Sequence, residues 1–130
     1  LSTARRYSAA TSVGNYALFG GGNQGTSSYL AVVDAYNTSL TRSTPTALSE
    51  ARSTLGAASI GDYALFGGGS SSSSSYSDVI DAYDTSLTRS TPILLSASRT
   101  SVKAVSIGNY VLFGGGYTGS YSAIVDVYTV

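Results

Sequence analysis

The sequence predicts an all-β fold of stacked four-stranded antiparallel sheets, three of them in this chain. Three observations carry this. A 47-residue unit recurs along the chain. Each unit divides into short strand-like segments with Gly, Asn, Asp or Pro between them. Composition is 42% apolar and only 11% charged, enough apolar content to bury a core.

The repeat is read first because it constrains everything else. Tyr16-Ala-Leu-Phe-Gly-Gly-Gly22 returns as Tyr63 to Gly69 and, with Val111 for Ala, as Tyr110 to Gly116. Val33-Asp-Ala-Tyr36 returns as Ile80 to Tyr83 and as Val125-Asp-Val-Tyr128, the last step being 45 residues because one loop is shorter. Leu1 to Arg5 matches Leu48 to Arg52 and, more loosely, Leu95 to Arg99. Residues 1–47 and 48–94 share 29 identities, so they must adopt one conformation. The units are assigned as 1–47, 48–94 and 95–130, the last lacking a fourth strand and stopping after its third at Val130.

Within a unit, 8–13 is a strand of small residues, as expected where tapering sheets converge on an axis. Gly14-Asn15, Gly61-Asp62 and Gly108-Asn109 are two-residue turns into the second strand. That strand, Tyr16 to Phe19, is apolar without alternation, which requires cover on both faces. Tyr16, Leu18, Phe19, Leu65, Phe66, Leu112 and Phe113 are therefore expected to be buried between sheets. A glycine-rich turn and a polar loop lead to a third strand, 31–36. After Asn37-Thr-Ser39 comes a fourth, 40–44, whose polarity and following Pro45 suit an outer edge. Sheets of this kind around an axis are the blades of a β-propeller.

The apolar strand ending in Gly-Gly, the variable loop, the Tyr of the third strand, the leading Arg and a period near 50 together resemble the kelch repeat family over the whole chain. The chain departs from that pattern in lacking the Trp expected shortly after the Tyr, where Arg42 and Ser43 stand. The resemblance implies a divergent kelch-like propeller acting as a scaffold or binding module.

Composition excludes several functions. Seven basic and seven acidic residues give no net charge to draw the chain to nucleic acid. No apolar run approaches the roughly 18 residues of a helical membrane span. Cys, Met and His are absent, which removes thiolate chemistry, the usual metal ligands and the commonest general base. No catalytic residue, metal or cofactor is expected, and an enzyme is disfavoured. Gly20-x-Gly22-x-x-Gly25 matches a dinucleotide fingerprint in form, but it leads into a loop and a strand instead of a helix. Asn37-Thr-Ser39 is a lone glycosylation sequon, with Asp84 at the same place in the next unit.

Candidate ligand-binding residues fall in two groups. Arg5, Arg52 and Arg99 stand at the entrance to successive inner strands. Either each pairs within its own blade, or together they ring one mouth of a central channel and bind an anionic or carbonyl-rich ligand. Asp34, Asp81 and Asp126 recur at one strand position and are read as structural. The loops 23–29, 70–76 and 117–121 diverge most between the copies. Asn23, Gln24, Tyr29, Tyr76, Tyr117 and Tyr121 there have the composition of adaptable binding surfaces, the alternative being a solvated spacer.

The favoured function is binding of a protein or glycan through this loop face. The alternative is a purely structural segment of a larger surface or appendage assembly. Low charge, abundant hydroxyls and no Cys lean toward an extracellular or cell-surface setting. A chain opening at Leu1 reads as a fragment or a processed product. Three blades leave apolar faces open, so the expected partner is a second copy, head to tail, completing six blades, or else further blades of a longer chain.

Overall fold

The structure, a computed structural model, describes residues 1–129. It is all-β, with three antiparallel sheets stacked in sequence order. The first sheet comprises β1 (Ala9–Val13), β2 (Tyr16–Gly20), β5 (Val33–Tyr36) and β6 (Arg42–Ser43). A short ribbon, β3 (Asn23–Gln24) with β4 (Ser28–Tyr29), stands in the loop after β2. The second sheet comprises β7 (Gly56–Ile60), β8 (Tyr63–Gly67), β9 (Ile80–Tyr83) and β10 (Arg89–Ser90). The third comprises β11 (Lys103–Ile107), β12 (Tyr110–Gly114) and β13 (Val125–Thr129). These are propeller blades of the predicted kind. The predicted chain stop at Val130 lies outside the described residues.

Register is the same in all three sheets: Ala10, Phe19 and Asp34 lie abreast, as do Ala57, Phe66 and Asp81, and Ala104, Phe113 and Asp126. Because side chains alternate across a strand, each sheet has one face turned to the sheet before it and one to the sheet after. Phe66 and Tyr83 reach back from the second sheet onto Leu18, Val33 and Ala35 of the first. Phe113 and Val111 reach back from the third onto Leu65, Ile80 and Ala82 of the second. The core is therefore two equivalent layers between sheets.

Glycine makes these layers close. A Cβ on Gly20 would lie 2.8 Å from the Phe66 ring, and one on Gly67 would lie 2.7 Å from the Phe113 ring. Each Phe thus occupies a seat that exists because the preceding sheet has no side chain there. Tyr83 and Tyr128 add a bridge at the outer rim, their hydroxyls donating to the carbonyls of Thr46 and Leu94.

Burial corrects part of the sequence reading. Leu18, Leu65, Phe66 and Phe113 are buried as expected, but Tyr16, Phe19 and Leu112 are only half-buried. Phe19 points back from the first sheet and Leu112 forward from the third, and neither direction has a neighbouring sheet in this chain. The fourth strands are also shorter than 40–44, covering two residues each. Leu40 and Leu87 instead close a turn at positive φ, 60° and 62°. Asn37 and Asp84 organise that turn alike, each side-chain oxygen accepting from two backbone N–H groups, which explains their exchange between copies.

The inner strands have a feature that composition does not reveal. Tyr7, Thr54 and Ser101, spaced 47 residues apart, all adopt left-handed backbone, with φ 59°, 53° and 58°. This region is disfavoured for residues with a Cβ. A backbone chain from sheet to sheet holds them there: Thr54 N–H donates to the Tyr7 carbonyl and Ser101 N–H to the Thr54 carbonyl.

Candidate functional site

Each leading arginine folds back under the glycine turn of its own blade. Arg52 Nη1 donates to the carbonyls of Gly68 at 2.7 Å and Val79 at 2.9 Å, and Nη2 to Asp81 Oδ2 at 2.6 Å. Arg99 repeats this with Gly115, Ile124 and Asp126. Arg5 does so with Gly21, Phe19 and, at 2.9 Å, Asp34. All three guanidinium groups are fully buried.

The proposed guanidinium ring at a channel mouth is thereby corrected: Arg5, Arg52 and Arg99 are buried and turn their donors inside the sheets, the Nε of Arg52 and of Arg99 lacking a partner among the described residues, so none faces a channel. Geometry explains this, because the Gly-Gly turn leaves carbonyls that no strand partner can satisfy, and a planar five-donor group satisfies several at once. Asp34, Asp81 and Asp126 are the anions that make a buried guanidinium tolerable.

The same environment tunes several ionisations. Burial alone would raise the Asp34 carboxyl, but hydrogen bonds from Ser2 and the Arg5 guanidinium outweigh it and hold the carboxyl below its ordinary 3.8. Its contribution to stability is thus present above that pH and lost as pH falls through the lower folded value. Burial, and then the neighbouring Asp126 charge, pushes Tyr128 up to about 12; burial and Asp81 push Tyr83 higher still. For these phenols the fold favours the neutral form, so their contribution is present below the ordinary value of 10.0 and lost as pH rises beyond it. In an ultraviolet titration, two of the eleven tyrosines should stay protonated until pH about 12 or until unfolding. Ionisation of Tyr83 and Tyr128 at the ordinary value of 10.0 in the folded state would contradict their inter-sheet placement.

The variable loops come together differently. Tyr76 and Tyr117 meet edge to face with centroids 5.8 Å apart, and Tyr117 meets Tyr121 at 5.8 Å. The loops of the second and third sheets thus share an aromatic trio whose outermost member, Tyr121, is 94% exposed. Backbone bridges hold it: Ser70 pairs with Ser53 and Tyr76, and Tyr117 with Thr100 and Tyr121. Beside these bridges lies a hydroxyl cluster that the sequence did not single out. Ser70 Oγ donates to Thr100 Oγ1 at 2.6 Å, and Thr54 and Thr100 share a hydrogen at 2.7 Å. No repeat signal marks it in sequence: Thr54 stands where Tyr7 and Ser101 stand, Thr100 where Arg6 and Ser53 stand, and Ser70 where Asn23 and Tyr117 stand.

The first loop is built otherwise. Asn23 pairs its backbone with Arg6, and its side chain is buried with Oδ1 lacking a partner among the described residues. Gln24 is exposed and donates to the Ala4 carbonyl. Tyr29 is half-buried opposite Asn23 on the β3–β4 ribbon, outside the trio.

No family model and no curated protein matches the sequence. Among solved structures the chain is similar to YjhT, with a TM-score of 0.83 at 16% identity. That match covers 97% of this chain and 43% of the YjhT chain, so this chain spans less than half the length of its structural relative. At that identity the likeness concerns the fold alone, over nearly every residue of this chain.

Proposed function

We propose that this chain is a non-catalytic, kelch-like propeller module that binds a protein or glycan through the face carrying its variable loops. The observation that supports this reading is the tyrosine trio of Tyr76, Tyr117 and Tyr121 beside the hydroxyls of Thr54, Ser70 and Thr100. Flat amphipathic rings next to small hydroxyls suit an uncharged ligand, pairing apolar contact with hydrogen bonding. Arg52 and Arg99 are already paired with Asp81 and Asp126, so those guanidinium groups are not the basis of recognition. Abundant hydroxyls and low charge accord with an extracellular or cell-surface setting. A purely structural role in a larger assembly is the second reading, favoured by the apolar sheet faces at both ends of the stack.

A glycan array and a pull-down with the 130-residue chain test the two readings. Tyr117→Ala, which removes the ring at the centre of the trio, should weaken any bound partner by about tenfold or more. The Asn23, Gln24 and Tyr29 loop serves as comparator, since it lies outside the trio. A partner that binds the Tyr76→Ala, Tyr117→Ala and Tyr121→Ala variants as well as the parent would overturn the loop-face reading.

A further inference from the structure

We propose that the two open faces of this stack are halves of one interface and that a second copy of the chain closes it into a head-to-tail ring of six blades. The inference goes beyond ligand binding and rests on the two inter-sheet layers already described, which show what such a face takes.

Apart from Lys103, the forward face of the third sheet has apolar residues in the same register as the buried forward faces before it. Ile107 is 67% exposed where Ile60 is 5% and Val13 is 3%; Val125 is 54% exposed where Ile80 is fully buried. The backward face of the first sheet is its complement. Ala17 is exposed and Phe19 only half-buried there, whereas their counterparts Ala64 and Phe66 are fully buried. Leu1 is 47% exposed, while Leu48 and Leu95 in the same place are buried.

The glycine seats define the docking. Gly20 holds Phe66 and Gly67 holds Phe113, but a Cβ on Gly114 would meet only Val125, at 3.6 Å. Gly114 is the empty seat, and Phe19 is the unseated ring. Backbone hydrogen bonds run out at the same places. Gly22 and Gly69 donate to the carbonyls of Arg52 and Arg99, and the series then calls for Gly116 N–H to meet the Arg5 carbonyl of a second copy. Likewise, the chain linking Tyr7, Thr54 and Ser101 continues if Tyr7 N–H meets the Ser101 carbonyl of that copy. The contact is heterologous, so it either closes by rotation or propagates. More of the YjhT chain lies outside the matched arc than within it, length enough for a second arc of this size.

One residue opposes the fit. Lys103 stands where Ala9 and Gly56 stand, at the closest approach of the inner strands, and lines the axial cleft with Tyr7, Thr54 and Ser101. Its stem must lie along the axis with the ammonium in water.

Sedimentation or light scattering on the 130-residue chain at micromolar concentration should give the mass of two chains. Gly114→Leu, which has room in its own sheet, should keep the far-UV spectrum and raise the dimer dissociation constant about 100-fold. Lys103→Ala should lower it. A folded monomer, species that grow without limit with concentration, or a dimer indifferent to Gly114→Leu would each overturn the proposal. The first would point to further blades of a longer chain as the occupant.

Discussion

Arg52→Met is expected to destabilise the fold by about 3–5 kcal/mol, among the largest effects any single substitution here should have. The loss exceeds that of one ion pair. Asp81 would keep a fully buried carboxylate supported only by the Ser49 N–H at 3.1 Å and Arg89 at 3.9 Å. The Gly68 carbonyl would lose the Arg52 donor as well, and the Val79 carbonyl would keep only the Gly68 N–H. Urea unfolding of Arg52→Met, Asp81→Asn and the double variant checks this. The double variant should cost clearly less than the sum of the singles, because most of each single loss is the charge left behind. A single variant within about 1 kcal/mol of the parent would mean that water or another cation reaches Asp81, contrary to the buried geometry.

Phe66→Ala is expected to cost about 3–5 kcal/mol. Its ring is fully buried, sits on the bare backbone of Gly20 and meets Tyr83 edge to face at 5.9 Å. The surrounding strands are tied on both sides by ladder hydrogen bonds, so they cannot collapse into the cavity left behind. Phe19→Ala makes the informative comparison. That ring meets Tyr36 in the same way, at 6.1 Å, but has no sheet behind it in this chain. In the monomer the substitution should cost much less than Phe66→Ala. If the ring of two copies forms, the gap should close as protein concentration rises. Equal melting of Phe66→Ala and the parent would disprove the inter-sheet placement of β8.

Most of the architecture was legible in the linear chain because it is written there three times. A single Tyr-Ala-Leu-Phe segment is ambiguous between a buried strand and a helix turn. Three copies, each preceded by Gly-Asn or Gly-Asp and followed by a glycine run, leave only a strand leaving a tight hairpin. The aspartates were legible for the same reason: Asp34, Asp81 and Asp126 recur with the fold, so their role had to be one that every blade needs.

Other features depend on which groups meet in space. The sequence placed Arg5, Arg52 and Arg99 at an entrance but left open whether they face a channel or their own sheets. The glycine turn decides it, by leaving carbonyls that only a nearby multi-donor cation can satisfy. Strain at Tyr7, Thr54 and Ser101 has no signature in residue type, since it is imposed by hydrogen bonds from the neighbouring sheet. The tyrosine trio joins loops of two sheets, and its members are 41 and 4 residues apart in sequence. By itself, then, the sequence determined the main strands of each unit and their order, because these follow from local turn chemistry repeated three times; it did not determine the length of the fourth strands or the β3–β4 ribbon. Tertiary structure alone decided which arginine donors are spent, which phenylalanine has a seat and which tyrosines stand together, because each depends on the sheet beyond the residue's own.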